Sequence, residues 1–418
     1  MIGTIDTVDV EKERIGIFGL GALAGTLIYI GSIPLASLAH LGPLGSLAKL
    51  GAAMSVAGAL FAFLSGHLRI RRTDGSILVF GGFVTWAVLS YFWSGDTSLT
   101  LGRMLTNVQL FVATIVIWQL VDSEKRVRLA VRAFIVGIFF GSLYALALRH
   151  PHTHGVARFS VGDPNSFGVE VVWALLAAYW LFLHPRETKR WKQFYAAVFV
   201  VGIVEVFSTV SRTALVVLGL AMCFAFLDRR FLRARYIAAA SVVAAAAGIA
   251  ILKVVSSRQL ARLGTTASAA SSGANGRTTQ WKLALHLFAQ HPVEGLGAAV
   301  FRDYSVGNIG ISRVAHNSFL GVAADLGAVG LVLFITMFVL AGRGLVQLPP
   351  TTRRLWIGLS AVWFVGASTL TWENHKFTYF FLVVVAAQSA LATARAPELL
   401  RAEPAERRGS RRLHSRSR

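Results

Sequence analysis

The sequence predicts an all-α integral membrane protein of about twelve transmembrane helices, with one long extracytoplasmic loop that carries a short amphipathic helix. Three observations lead there. The chain of 418 residues is 55% hydrophobic and only 15% charged, against about 25% charged in soluble domains. Its mean hydropathy is +0.61. Apolar runs such as IGIFGLGALAGTLIYIGSIPLASLA and VEVVWALLAAYWLFL recur along it, near or beyond the roughly 20 residues that cross about 30 Å of hydrocarbon.

Windows of about 19 residues place spans near 15–36, 43–65, 76–93, 101–121, 129–148, 166–184, 194–210, 213–228 and 236–255, and then near 317–341, 355–371 and 377–394. Residues 1–14 lack a basic stretch followed by a small-residue cleavage site, so the first span is expected to be retained. An even count puts both termini on one side. The connections HLRIRR, DSEKRVR, PRETKRWK, DRRFLRARY and RGLVQLPPTTRR then alternate with LGP, SGDTS, RHPHTHGVARFSVGDPN, VSRT, residues 256–316 and WENHK. Lys and Arg crowd the first set, which is therefore expected in the cytoplasm with residues 1–14 and the basic tail 395–418. The formal charge of +21 thus reads as topology signals and contact with anionic lipid head groups, not as a nucleic-acid surface.

The extracytoplasmic segment 256–316 is the only sizeable connection. It opens on LGTTASAASSGANG, a composition of flexible linkers. RTTQWKLALHLFAQHP follows, with Trp281, Ala284, Leu285 and Phe288 at helical spacing and a stop at His291-Pro292. The rest is glycine-rich, and Gly295 and Gly297 suit a tight turn. Internal repeats are not visible, and Cys223 is the single cysteine, without a disulfide or metal-cluster partner. No P-loop, dinucleotide fingerprint or H-E-x-x-H element occurs, so nothing points to an ATP-driven engine.

Five polar clusters adjoin outward span ends: WSGDTSL, RFSVGDPNSFG, STVSRTAL, GRTTQW with HPVEGLG, and AHNSFL. Arg212 has almost no loop around it, and an arginine at that boundary needs a compensating partner. Its planar fork suits a phosphate or carboxylate; a structural pair with Glu205 is the other reading. His316 either caps and solvates a helix start or takes a proton from a sugar hydroxyl, which an imidazole of ordinary pKa near 6.5 can do. Asp163, Pro164 and Asn165 read as a turn and helix cap or as part of a ligand site. Trp93 suits an aromatic belt, and Arg158 is either an interfacial anchor or an addition to an anion site.

Taken in order, WSGDTSL, GDPNSFG, SRTAL, GRTTQW with HPVEGLG, and HNSFLGVAADLGAVGL resemble the O-antigen ligase and polymerase superfamily of membrane glycosyltransferases over roughly residues 75–345. The resemblance implies transfer of a glycan from undecaprenyl diphosphate to an acceptor hydroxyl of a lipid, glycan or protein. It places the active site at the outer, periplasmic face of the bacterial inner membrane, working without metal, nucleotide or other cofactor. It assigns catalytic roles to Arg212, Arg277 and His316 and matches the turn Asp163 to Asn165; Asp163, Asn165, Trp281 and Asn317 are expected as substrate contacts, with Arg158, from its position beside that turn, as a further one. A polymerase acting on the same donors is the alternative, and a transporter or flippase with broken helices in two matching halves is a third reading.

Overall fold

The computed structural model describes residues 16–35, 46–148, 160–227, 234–257, 259, 261, 277–309 and 313–414. The linker LGTTASAASSGANG, residues 263–276, lies outside these residues. The helices are α1 Ile17–Ser32, α2 Leu47–Leu64, α3 Gly75–Leu89, α4 Thr97–Leu120, α5 Glu124–Leu148, α6 Pro164–Phe182, α7 Lys189–Ser208, α8 Arg212–Phe226 and α9 Ala234–Val254. They continue with α10 Arg277–Gln290, α11 Phe301–Ile309, α12 Ser318–Gly342, α13 Pro350–Thr369 and α14 Lys376–His414. There is no strand among the described residues.

Each apolar window falls on a helix, yet nine helices among the described residues are long and apolar enough to cross a membrane. The expected count of about twelve is therefore not reached. Helix α8 has 15 residues, α9 has an apolar part limited to Ser241–Val254, and α13 opens on the polar turn PTTRR.

The helices start where their sequences supply a side-chain oxygen for the orphan amides of a first turn. Ser46, Asp74, Asp96, Asp163, Thr188, Ser211 and Asn317 each accept such a backbone N–H at the head of α2, α3, α4, α6, α7, α8 and α12. The bundle is built around α6 and the first part of α14, both 78% buried in their spanning windows. A helix apolar on every side must be surrounded by other helices or by lipid, and here it is surrounded by protein. Phe134 of α5, Trp173 of α6 and Phe377 of α14 meet there with ring centroids 5.1–5.4 Å apart. Close backbone approach does similar work at α1 and α2, where a Cβ on Gly51 would stand 2.6 Å from the Tyr29 nitrogen.

Helix α12 is broken. Gly327 has φ 63° and ψ −165°, a conformation open only to glycine. The segment before α11 inserts at the break: Leu296 N donates to Ala324 O at 3.0 Å, Gly297 N to Asp325 O at 2.8 Å, and Ala328 N to Pro292 O at 2.8 Å. The Asp325 carboxylate accepts from Ala299 N at 3.1 Å and Phe301 N at 2.8 Å. Backbone groups freed inside an apolar region are thus met by protein. Helix α10 packs beside this, and it buries Gln280, Leu283, Ala284 and Leu287. The apolar face is therefore turned from the Trp281, Ala284, Leu285, Phe288 stripe, and Leu285 is 53% exposed; docking against α12 decides the rotation.

A Cβ on Gly327 would collide with the Val293 carbonyl and the Glu294 nitrogen. Gly327→Ala is expected to lower stability by about 1–3 kcal/mol or more, seen as a lower unfolding temperature of the purified protein in detergent. Gly219→Ala, where an added Cβ meets nothing within 4 Å, should hold or raise it.

Candidate functional site

Three turns meet at one end of the bundle. The first is the head of α6, where Asp163 accepts from Asn165 N at 3.1 Å and Ser166 N at 2.8 Å, with Pro164 at the first helical position. The second is the head of α8. Val210 there has φ 50°, a strained geometry for a β-branched residue, and Ser211 caps the helix while its Oγ donates to Asn165 Oδ1 at 3.1 Å. A Cβ on Gly168 would stand 2.8 Å from Ala214 Cβ, so the two helix heads are nearly in contact. Half-buried Arg212 is the first residue of α8 and follows directly on Ser211.

The third turn leads into α12. His316 also has φ 50°, and Asn317 turns its Oδ1 onto Phe319 N at 3.0 Å and Leu320 N at 3.1 Å as the helix cap. Non-glycine residues in left-handed geometry cost on the order of 1–3 kcal/mol and gather at working sites. Among the described residues two of the three, Val210 and His316 itself, stand at this end, and the third, Ala299, lies in the segment that inserts at the Gly327 break. Ser318 Oγ donates to Leu370 O at 3.0 Å and accepts from Trp372 N at 2.7 Å. The Trp372 indole in turn donates to Ser166 Oγ at 3.2 Å. These bonds lace the α6, α12 and α14 heads together.

Between them lies a cavity of about 390 Å³ lined by Asp163, Ser166, Glu170, His316, Thr371 and His375, with Ile33 and Pro34 among its apolar walls. Arg277 heads α10. Burial works against its charge and the nearby Asp163 carboxylate restores part of it. Burial, and then the same Arg277, hold the His316 imidazole below its ordinary pKa, while Asp163 pulls the other way. Arg277, Asp163 and His316 therefore share one electrostatic neighbourhood. The heads of α6, α8, α10, α12 and α14 add the positive ends of their dipoles at this end of the bundle.

Two of the candidates, Asp163 and His316, line the cavity; Arg277 is coupled to both, and Arg212 is tied in through Ser211 and Asn165. Asn317 is occupied as a cap, and Trp281 carries a buried indole N–H with no hydrogen-bond partner among the described residues. Arg158 lies outside the described residues. The Arg212–Glu205 pair is not formed: both Glu205 carboxylate oxygens are buried without a hydrogen-bond partner among the described residues.

Two cavity residues were not singled out in the sequence. Glu170 is 3% exposed and sits 3.4 Å, Oε1 to Nδ1, from His375, whose ring lies under Trp372 at a centroid distance of 6.0 Å. A lone carboxylate inside the run VEVVWALL was the available signal, because ionisable residues within spans are costly unless used. His375, in the outward connection WENHK, carried no such mark. Burial, and then Lys376, lower the His375 pKa as well.

Both imidazoles release their protons more readily in the folded protein than in the unfolded chain, where histidine titrates near 6.5. Below about that pH the unfolded state binds more protons, so stability is fully present above it and falls with acidification. Unfolding temperature measured from neutral pH downward should drop through this window, and His316→Gln and His375→Gln should each flatten the slope.

Residues 197–335 match the family model described as O-Antigen ligase. The matched segment contains Arg212, Arg277, Trp281, His316 and Asn317, whereas Asp163, Glu170 and His375 lie outside it. No curated protein matches the chain.

Proposed function

Because residues 197–335 support its place in the O-antigen ligase superfamily, we propose that the chain is a multi-pass membrane glycosyltransferase moving a glycan from undecaprenyl diphosphate to an acceptor hydroxyl. The observation that carries this reading is that Asp163 and His316 line one polar cavity and that both are coupled electrostatically to Arg277 at the head of α10, with Arg212 following directly on Ser211, which bonds Asn165. The Lys/Arg bias of the opposite connections supports a location of the cavity on the outer, periplasmic side of a bacterial inner membrane.

The acceptor oxygen attacks the anomeric carbon from the side opposite the diphosphate. As the new C–O bond forms, the bond to the phosphate oxygen breaks and its electron pair leaves with the diphosphate. Arg212 and Arg277 meet the growing negative charge, as fixed donors do for an oxyanion. A neutral imidazole is the form that accepts a proton, and the surroundings of His316 favour that form. The proton of the acceptor hydroxyl passes to it. Glu170 and His375 offer further acceptor and donor atoms to sugar hydroxyls along the cavity wall. The donor carries the free energy of the transfer in its diphosphate bond, so the scheme needs no nucleotide.

Protein reconstituted in vesicles with labelled undecaprenyl-diphosphate glycan and candidate acceptors tests this. Arg212→Lys keeps the charge and loses the fork, and should slow transfer by about 10²–10³; His316→Ala should cost about 10²–10⁴. Unchanged rates in both would defeat the assignment, and uptake of the glycan with its linkage intact would point to transport. Label on a separate acceptor marks a ligase, and a ladder on the lipid carrier marks a polymerase.

A further inference from the structure

At the opposite end of the bundle lies a second cavity, of about 560 Å³, walled by Arg71, Arg72, Asp74, Leu78, Trp118 and Arg343. We propose that it binds the phosphate of an anionic phospholipid in the leaflet at that end.

The arginine-bearing segment is held rigid before any ligand arrives. Arg71 N donates to Gln119 Oε1 at 2.7 Å, Gln119 Nε2 returns a bond to Arg71 O at 3.0 Å, and Trp118 Nε1 donates to Arg72 O at 3.2 Å. The Arg71 guanidinium stacks 3.7 Å over the Trp118 ring and donates through one nitrogen to the Val121 carbonyl at 3.2 Å, at the end of α4. A cation there also complements the negative end of the helix dipole. These contacts fix the position of a charge that would otherwise swing on a long side chain, so little conformational entropy is lost on binding.

Charge is in excess. Three guanidiniums face one carboxylate, Asp74, which donates nothing and is already engaged: its Oδ1 accepts from Ser76 N at 2.8 Å and Ser76 Oγ at 2.7 Å, and its Oδ2 from Arg343 at 3.2 Å. Asp122, which also acts on Arg71, pairs with Arg126 at 2.7 Å. The Arg72 side chain is exposed and makes no hydrogen bond or ion pair among the described residues. Arg343 keeps 59% of its side chain open. A phosphate monoanion or dianion between Arg71, Arg72 and Arg343 would satisfy that excess with charge-assisted bonds.

The site's level selects a lipid over free phosphate. The cavity sits where the spans Gly75–Phe92 and Thr97–Leu120 begin and end, and its apolar wall includes Leu78, 64% exposed, one turn inside α3. Head-group phosphate above and acyl chain along Leu78 fit that arrangement. The excess of Lys and Arg assigns this end to the cytoplasmic side, where the leaflet is rich in anionic lipid. None of this depends on the transfer reaction at the other end.

The test is native mass spectrometry of the full chain released from nanodiscs of phosphatidylcholine mixed with phosphatidylglycerol. Wild-type protein should retain phosphatidylglycerol in saturable, low-number adducts. Arg72→Ala, which removes a side chain without protein partners, should weaken retention about fivefold, and Arg72→Ala with Arg343→Ala about twenty-five-fold, while Arg72→Lys stays close to wild type. A double variant that still unfolds cooperatively yet retains phosphatidylglycerol like the wild type would overturn the proposal. So would displacement of the lipid by inorganic phosphate, since that outcome names a soluble anion as the ligand.

Discussion

One hydroxyl holds the candidate site in register. Ser318 Oγ lies between the Leu370 carbonyl and the Trp372 amide, and the Trp372 indole reaches across to Ser166. Each of these groups is buried or half-buried, and an unmet polar group in such surroundings costs about 1–3 kcal/mol. The head of α12 therefore cannot shift without leaving a donor and an acceptor stranded on the connection between α13 and α14. His316, two residues before Ser318, inherits its position from this lock, and so does the distance between His316 and the Asp163 turn.

The bundle separates its charges. At the cavity end, carboxylates and imidazoles line one wall, Arg277 acts on Asp163 and His316, and five helix heads contribute their positive poles. At the other end, arginines outnumber acids, and Arg71 rests on the Val121 carbonyl at the close of α4. Under the two proposals these arrangements would meet different negative groups: a diphosphate whose charge grows during bond breaking, and a head group whose charge is constant. Glu205, buried with no hydrogen-bond partner among the described residues, belongs to neither arrangement, and we have no physical account of it.

Much of this was legible in the sequence because the bilayer imposes strong patterns. Apolar windows located most of the spans, and the Asp163-Pro164-Asn165 turn located the start of α6, since a helix head needs an acceptor wherever water is scarce. The resemblance carried in SRTAL, GRTTQW and HNSFL pointed to residues that do gather at one end. What stayed hidden depends on packing between distant segments. The break at Gly327 follows from the insertion of residues 292–301, and a glycine inside an apolar run does not announce a partner. The rotation of α10 follows from its docking on α12. Glu170 was visible as a carboxylate in an apolar run, but its neighbour His375 lies about two hundred residues away, beyond any local pattern.

The cavity wall is drawn from far-apart stretches of chain: the head of α6, the turn into α12 and the connection before α14. Only His316 and the adjoining Val314 among its lining residues belong to residues 197–335. On the proposed reading, most of the cavity wall lies outside the matched segment while both leaving-group arginines lie inside it. On the same reading, a matched segment moved into another scaffold would carry the arginines and His316 but leave behind most of the wall that surrounds them here.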